Sequence, residues 1–317
     1  YIIAMYVAGI TQGLMWRAID ANGRLVYPDF VETVTRIVPL YWVRAFSGAL
    51  FIIGFVVMCY NLYKTIRNSP AHKEVAVRVV NNRHVEEEKT TRHRRLEGMG
   101  ATFTVLTLIA VLVGSVIEIY PTLSLHKYIP ENVQTMPLSG LELAGRDLYV
   151  REGCYVCHSQ QIRPLAWEVL RYGKASTVAE SMYDRPFQWG SKRTGPDLAR
   201  VGKKYPDLWH YRHMLDPRAV TPLSIMPAYP WLEKKKIDFV GLRKKTSVLR
   251  NLGVPYSDEE VANADIQAEK DAKVLALELT AQGAPAGLED KEITALIAYL
   301  QSLGHKTKTS ETAEETK

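Results

Sequence analysis

The apolar residues of this chain are concentrated in three stretches that lie before residue 120. Residues 45–63 and 101–119 contain a single charged side chain between them, Glu118. An α-helix rises about 1.5 Å per residue, so each stretch would be about 28 Å long, close to the hydrocarbon thickness of a bilayer. Residues 1–16 are also uncharged, and they begin without Met and without the basic start of a signal peptide. We therefore predict three transmembrane helices, the first of them truncated, in a sequence that is a fragment.

Beyond residue 120 the pattern becomes that of a water-exposed helical domain. Polar and apolar residues alternate at helical spacing over residues 141–150 and again over 290–303. The final stretch, KTKTSETAEETK, has the composition of a disordered tail. The predicted fold is mainly α, with membrane helices followed by an all-α domain. The apolar stripe that predicts its closing helix consists of Ile293, Leu296, Ile297, Leu300 and Leu303.

The basic residues orient the predicted membrane helices. Residues 64–98 contain nine Lys or Arg residues, whereas residues 17–44 contain four. Basic residues near helix ends are retained on the cytoplasmic side of a membrane. This rule places the connector 64–98 inside and the connector 17–44 outside, so the third helix delivers residues 121–317 to the outer face. In a bacterium that compartment is the periplasm.

The composition narrows the class of protein. The 317 residues include 40 Lys or Arg against 34 Asp or Glu, a net charge of +6, and 47% of the residues are hydrophobic. This apolar content excludes a disordered chain, and three cysteines are too few for a disulfide framework. Most of the basic excess lies in the inner connector, where topology and contact with membrane lipid explain it. We therefore predict no nucleic-acid partner.

The segment Cys154-Tyr155-Val156-Cys157-His158 carries the most specific chemistry in the sequence. Two thiols three positions apart can add to the vinyl groups of one haem, and the histidine that follows can bind its iron. A zinc knuckle is an alternative, but zinc would need a second ligand pair and the outer domain has no further cysteine. A thioredoxin-like redox motif should follow a strand, whereas residues 141–150 predict a helix. We predict one covalent haem c on Cys154 and Cys157, with His158 as an iron ligand.

The second axial ligand of the iron should be Met or His. Met226 lies in PLSIMPAYP, where the prolines predict a stiff loop that can hold a thioether against iron. Met214 lies in WHYRHMLD, which predicts a helix, and a buried methionine there is more often part of the core. We predict Met226 as the ligand, and Met214, His210 and His213 remain alternatives.

Other residues are candidates for contacts with the haem or its ligands. The second imidazole nitrogen of His158 needs an acceptor, and a backbone carbonyl in the Gly195-Pro196 turn could supply it, although an ordinary turn is the simpler interpretation. Arg163 and the pair Lys192-Arg193 are candidates for the haem propionates, although surface arginines are usually solvated. Pro196 and Arg163 are therefore predicted as haem contacts.

These motifs carry a resemblance to known families. The outer domain resembles class I cytochrome c in its helix before CxxCH, its GPDL turn, its Met-Pro loop and its closing helix IAYLQSL. Over about residues 95–304 it resembles the mono-haem membrane subunit of cbb3-type cytochrome c oxidase more narrowly. Residues 1–66, with AGITQGLMWRA and VYPDF, are similar to the last two helices of that enzyme's catalytic subunit. The segments of the narrower resemblance are REGCYVCHSQQIRP, ESMYDRPFQWGSKRTGPDLARVG, IMPAYPWL and LGVPYSDEEVANA.

The resemblance implies a fusion of two subunits and a division of the chain into five parts. The parts would be the last two transmembrane helices of a catalytic-subunit-like region (1–66), a basic cytoplasmic connector (67–98), a transmembrane anchor (99–120), a periplasmic mono-haem cytochrome c domain (121–304) and a disordered tail (305–317).

The same resemblance implies a function. The chain would relay electrons through its haem c toward haem b and the haem-copper centre, where the enzyme reduces dioxygen to water with proton translocation. Its partners would be the catalytic haem-copper subunit, the di-haem c subunit, a c-type cytochrome donor and lipid of the bacterial inner membrane. No histidine precedes His72, so this chain alone is not expected to reduce oxygen.

Two other functions remain open. One is the haem c subunit of a nitric oxide reductase, although the two helices ahead of the connector argue against it. The other is a membrane-anchored scaffold whose haem is structural or whose CxxCH motif binds metal. Reversible reduction by a small cytochrome would separate a relay from a scaffold.

Overall fold

The computed structural model describes residues 1–68, 92–190 and 192–309, and it is mainly helical. Most of the predicted basic connector and the end of the predicted tail, residues 310–317, lie outside the described residues. The chain divides into two compact units, one of residues 1–44 with 129–317 and one of residues 45–128.

The described elements are helices apart from one small sheet. In chain order they are α1 (Ile2–Arg17), α2 (Phe30–Asn68), α3 (Arg92–Glu97), α4 (Gly100–Leu123), β1 (Val133–Thr135), α5 (Gly140–Arg151), α6 (Ala166–Tyr172), α7 (Asp207–Leu215), α8 (Pro217–Val220), α9 (Leu242–Asn251), α10 (Asp258–Ala262), α11 (Ala264–Ala281), α12 (Glu292–Ser302) and β2 (Thr307–Thr309).

Two helices are long and apolar enough to cross a membrane. They are Phe30–Asn68 and Gly100–Pro121, and they contain the second and third predicted spans. Their apolar side chains are largely exposed, as at Phe51, which is 78% exposed. The first predicted span corresponds to α1, which has 16 residues and remains a prediction as a membrane helix.

The core of the larger unit forms where α5 and α12 cross. Ser139 caps α5 in a capping box with Glu142, which fixes where the helix begins. A Cβ atom added to Gly145 would lie 1.9 Å from the carbonyl oxygen of Ala295, so the helices touch at a position that only glycine allows. The predicted stripe is buried within α12, with Ile293 and Ile297 both at 0% exposure, whereas Leu303 follows the helix and is partly buried.

An alanine-rich helix packs beside α5. The side of α11 that carries Ala264, Ala268 and Ala272 is buried. The carbonyl oxygen of Ala264 lies 2.5 Å from the Cβ position of Gly140, at the start of α5. Small residues on both sides allow this close approach, so part of the region between the Met-Pro loop and α12 belongs to the core.

The expected all-α domain and the expected tail both need a correction. Strand β2 lies within residues 305–317, which the sequence predicts as disordered, and it pairs antiparallel with β1, Val133 opposite Thr309. The pairing uses backbone groups that are far apart in sequence, and strands of three residues leave little side-chain pattern.

The N-terminal helices of the larger unit pack against its outer domain. Ile37 and Thr33 of α2 are buried, at 1% and 0% exposure. The Trp16 ring stacks on Phe30 with centroids 5.9 Å apart, and the Arg171 guanidinium of α6 donates a hydrogen bond to the carbonyl oxygen of Pro28 at 3.1 Å. The connector between α1 and α2 is therefore part of this unit's structure.

Candidate functional site

The CxxCH motif forms a tight turn directly after α5. Gly153 adopts a left-handed conformation with φ of 73°, which ends the helix and starts a 3₁₀ turn over Cys154–Val156. The His158 amide donates to the Cys154 carbonyl oxygen at 2.9 Å, closing the turn. Both cysteines are free and partly buried. The turn therefore presents two thiols and an imidazole to one cleft, whose volume is about 350 Å³.

The His158 imidazole is fixed by the Gly195-Pro196 turn. Its Nδ1 lies 2.8 Å from the Pro196 carbonyl oxygen, the acceptor that the sequence offers. A Cβ atom on Gly195 would lie 2.3 Å from the ring carbon Cε1, so the ring packs directly on the glycine backbone. The Gly195 amide also donates to the Cys157 carbonyl oxygen at 2.9 Å. With Nδ1 as the hydrogen-bond donor, Nε2 carries the lone pair that a metal requires.

The electrostatics of the turn favour neutral groups. Burial lowers the pKa of His158, which outweighs the Pro196 hydrogen bond and keeps the imidazole unprotonated near neutral pH. Burial and the nearby Glu152 carboxylate raise the pKa of Cys154 to about 12. The imidazole is thus in the form that binds a metal, and the Cys154 thiol does not have the lowered pKa of a thioredoxin-like nucleophile.

All four candidates for a second iron ligand line the same cleft: Met226, Met214, His210 and His213. Met226 is partly buried in the loop that follows α8, and Met214 is buried on α7. The His213 ring stacks on Trp209 with centroids 4.5 Å apart, and the His210 ring meets the same indole edge-on at 5.3 Å. These contacts hold both imidazoles in aromatic packing, whereas Met226 lies on an irregular loop.

Two buried nitrogen atoms of the cleft, His210 Nε2 and His213 Nδ1, have no hydrogen-bond partner among the described residues. Burial lowers the pKa of both side chains to about 4, so both are neutral near pH 7. A buried nitrogen without a partner is costly unless a bound group or water satisfies it. The cleft therefore has the polar features of a site that holds a ligand.

Part of the cleft lining is apolar. Leu296 and Leu300 of α12 and Tyr149 of α5 contribute to it, so the two crossing helices both line the cleft. The cleft combines apolar side chains with a motif of two thiols and an imidazole, and the Met226 thioether lines it from a loop. This combination suits a flat macrocycle with a central iron. The residues present fit a haem.

Arg163 is not among the described residues that line this cleft, and the prediction that it contacts the haem is not supported by its placement. Its guanidinium Nε donates to Glu168 Oε1 at 2.5 Å, and the Glu168 side chain is 2% exposed. Burial raises the pKa of Glu168, but hydrogen bonds from Arg193 and Arg163 outweigh burial and leave the pKa below its usual range. The Arg163 guanidinium is thus paired with the buried Glu168 carboxylate.

Arg193 is not among the described residues that line the cleft, and it supports the CxxCH motif through hydrogen bonds and ion pairs next to it. Its guanidinium bridges the carboxylates of Glu168, at 2.9 Å, and Asp197, at 3.3 Å. Arg193 Nε also donates to the Ser159 hydroxyl at 2.7 Å, and that hydroxyl donates to Asp197 at 2.5 Å. This network ties the residue after His158 to the residue after Pro196, so it holds the ligand and its acceptor together.

The cleft contains cations that the sequence analysis did not single out: Arg171, Arg200 and Lys204. Arg200 makes two hydrogen bonds to the Glu180 carboxylate, at 2.6 and 2.9 Å. The only sequence signal was the position of Arg200 and Lys204 just after the GPDL turn.

The start of α2 also lines the cleft, a contact that was not predicted from the sequence. Asp29, Phe30, Val31 and Val34 are among its lining residues, together with Cys157 and His158. More than 100 residues separate these groups along the chain. No local motif marks such a contact, so periodicity could not reveal it.

Comparison with known proteins gives two kinds of match. Residues 93–307 match the family described as cytochrome c oxidase, mono-heme subunit/FixO. A cytochrome c oxidase subunit 1 homolog of Bradyrhizobium diazoefficiens is 49% identical over 77 residues, which are 24% of this chain and 14% of the relative.

Two further relatives have the same kind of name. Cytochrome c oxidase subunit 1 of Rhodobacter capsulatus is 44% identical over 79 residues, 25% of this chain and 15% of the relative. The cbb3-type cytochrome c oxidase subunit CcoN1 of Stutzerimonas stutzeri is 44% identical over 80 residues, 25% of this chain and 17% of the relative. The chain therefore spans less than a fifth of the length of these curated relatives.

Proposed function

The chain belongs to the family of mono-haem FixO subunits of cytochrome c oxidase, and from this premise we propose that it is the electron-relay part of a cbb3-type oxidase. The observation that carries the proposal is the CxxCH turn, whose imidazole is fixed by Pro196 and faces a cleft shared with Met226. We propose a class I cytochrome c arrangement, in which one haem c is bound covalently by Cys154 and Cys157. The wider enzyme would reduce dioxygen to water.

In the proposed relay, the chain's residues hold the haem and tune it. A bound haem supplies reversible one-electron chemistry at its iron. Cys154 and Cys157 would hold the macrocycle through thioether bonds, and His158 Nε2 and the Met226 thioether would be the two iron ligands. The Pro196 carbonyl keeps the imidazole in one tautomer, and the buried apolar walls exclude water. Of the cations that line the cleft, Arg171 and Lys204 would be available to the propionates, whereas Arg200 pairs with the Glu180 carboxylate.

The match to subunit 1 relatives supports the second part of the proposal, a fusion. The reported matches extend over 77 to 80 residues, and we assign them to the N-terminal part of the chain, where AGITQGLMWRA and VYPDF carry the resemblance to the end of the catalytic subunit. The match to the mono-haem family begins only at residue 93, which leaves room for the subunit 1 match in the residues before it. The proposed partners are the catalytic haem-copper subunit, a di-haem c subunit, a c-type cytochrome donor and membrane lipid.

The proposed location is the bacterial inner membrane, with the haem domain in the periplasm. Two helices able to cross a membrane and the nine basic residues of segment 64–98 support this orientation. The compartment is also the one in which a haem can be attached through thioether bonds.

The proposed function is tested with the full chain, produced in a host that attaches haem c. We expect haem staining on a denaturing gel, a c-type pyridine haemochrome spectrum and reversible reduction by a small c-type cytochrome. The double variant Cys154→Ser, Cys157→Ser should lose the stain, whereas Cys59→Ser, on an exposed position of α2, should keep it. Stain that persists in the double variant would contradict the site, and a haem that no cytochrome reduces would contradict the relay.

A further inference from the structure

We infer that the apolar side chains Phe30, Val31 and Val34, at the start of helix α2, form a wall of the haem site and raise the reduction potential of the haem. This inference rests on the proposed function, because it needs a haem in the cleft. The segment belongs to the part of the chain that resembles the catalytic subunit, and no residue of it lies within the matched mono-haem family region. The haem site would therefore be built from both parts of the fusion.

The contacts that carry this inference lie within one compact unit. Phe30, Val31 and Val34 line the same cleft as Cys154, Cys157 and His158. Val34 is only 3% exposed although it borders the cleft, so its isopropyl group is packed between α2 and the cleft. Asp29 caps the helix start, since its carboxylate accepts a hydrogen bond from the Val31 amide at 3.0 Å.

Several contacts hold this helix start in place. Phe30 stacks on Trp16 of α1, and the Trp16 indole donates to the Thr33 hydroxyl at 3.3 Å. Arg171 of α6, itself a lining residue, donates to the Pro28 carbonyl oxygen at 3.1 Å. Ile37, one turn after Val34, is 1% exposed and is not among the described lining residues. The wall is thus held in place by Trp16 and Thr33, which do not line the cleft, and by Arg171, which does.

The electrostatic consequence follows from burial. With a neutral imidazole and a neutral thioether as ligands, oxidation adds one positive charge to the haem iron. A charge is less stable in an apolar environment than in water, so an apolar wall favours the reduced form and raises the potential. Opening the wall to water should lower the potential, and a change behind the wall should not.

The test measures the midpoint potential of the purified, haem-loaded full chain by optical redox titration. Phe30→Ala and Val34→Ala should each lower the potential, so that at the wild-type midpoint the oxidised form is in about threefold to tenfold excess. A tenfold excess corresponds to 59 mV for one electron. Ile37→Ala removes a similar side chain from the same helix behind the wall and should leave the potential unchanged. Phe30→Leu, which keeps the wall apolar, should also stay near the wild-type value.

The possible outcomes separate this inference from the proposed function. A wild-type chain without covalent haem would defeat the proposed function. Reversible haem with a potential unchanged in Phe30→Ala and Val34→Ala would overturn the inference alone. An equal shift in Ile37→Ala would also overturn it, because helix packing in general would then be the cause. If either alanine variant fails to fold, Phe30→Leu is compared with Val34→Thr instead. Val34→Thr adds a hydroxyl group at nearly constant size, so only this variant should have a lower potential.

Discussion

Met226 and Met214 both border the cleft, but their surroundings differ. Met214 is buried on α7, and its carbonyl oxygen accepts the Tyr229 amide at 2.8 Å, so its position is fixed by a helix and a backbone hydrogen bond. Met226 lies on a loop between Ser224, whose hydroxyl accepts the Met226 amide at 3.2 Å, and Pro227. A loop side chain can turn toward iron without moving a helix, which favours Met226 as the ligand.

Replacement of Met226 by Leu should remove the low-spin Met/His signature from the absorption spectrum of the oxidised protein. Leucine has a similar size and no donor atom, so the haem should stay attached through its cysteines while the second ligand is lost. The matched change Met214→Leu should keep the signature, because only packing changes there. Optical and electron paramagnetic resonance spectra measure this. If the signature persists in Met226→Leu and disappears in Met214→Leu, the ligand assignment is wrong.

His210 should make the stability of the outer domain depend on pH. Burial lowers its folded-state pKa to about 4, whereas an unfolded histidine has a pKa of about 6.5. The unfolded chain therefore takes up the proton first, and the stabilisation present at neutral pH is lost as the pH falls from about 6.5 toward 4. Between pH 7 and pH 5 the loss should be about 2 kcal/mol, or about 4 to 8 °C in melting temperature. Thermal unfolding at both pH values measures this.

The control for this pH dependence is the variant His210→Gln, which cannot titrate in that range. Its melting temperature should be lower at pH 7, because a buried aromatic packing partner of Trp209 is lost. The difference between pH 7 and pH 5 should shrink by the same few degrees. An unchanged pH dependence in His210→Gln would show that other groups cause it.

At the scale of elements, the crossing of α5 and α12 depends on Gly145. A methyl group there would meet the Ala295 carbonyl oxygen, which is backbone and cannot rotate away. We expect Gly145→Ala to destabilise the domain by about 1 to 3 kcal/mol, or more if the helices cannot separate. Asp147→Ala, on the same helix, loses only a half-exposed ion pair with Lys245 and should cost about 1 kcal/mol or less. Thermal unfolding followed by circular dichroism compares the two, and equal losses would contradict the close crossing.

The sequence predicted the elements whose pattern is local. The apolar stripe of α12 repeats at helical spacing, and CxxCH lies within five residues, so both could be identified without a structure. Strand β2 and the wall at Phe30 depend on partners more than 100 residues away. The local sequence of neither segment indicates which residues those partners are. The ion pair of Arg163 with Glu168 could not be predicted from the sequence for a related reason. A cation near a haem motif looks the same in sequence whether it faces a propionate or Glu168.

At the scale of the whole molecule, the two compact units correspond only in part to the predicted division into five. The larger unit combines residues 1–44 with 129–317, so the outer connector belongs with the haem domain. The positive-inside rule predicts that the connector 17–44 and residues 121–317 both lie outside the membrane, whereas α1, a predicted span, belongs to the same compact unit. The proposed boundary between the two fused parts is thus not a boundary between compact units.

The membrane topology can be tested by labelling single cysteines in intact spheroplasts with a membrane-impermeant maleimide. In a Cys59→Ser background, Lys270→Cys on the exposed side of α11 should label without permeabilisation, because the haem domain is predicted to face the periplasm. Asn81→Cys, in the basic connector, should label only after the membrane is opened, because nine Lys or Arg residues favour the cytoplasmic side. The thiols of Cys154 and Cys157 are not expected to react, since thioether bonds to haem consume them. Labelling of both positions from the same side would require an even number of crossings between them, which α4 alone cannot supply.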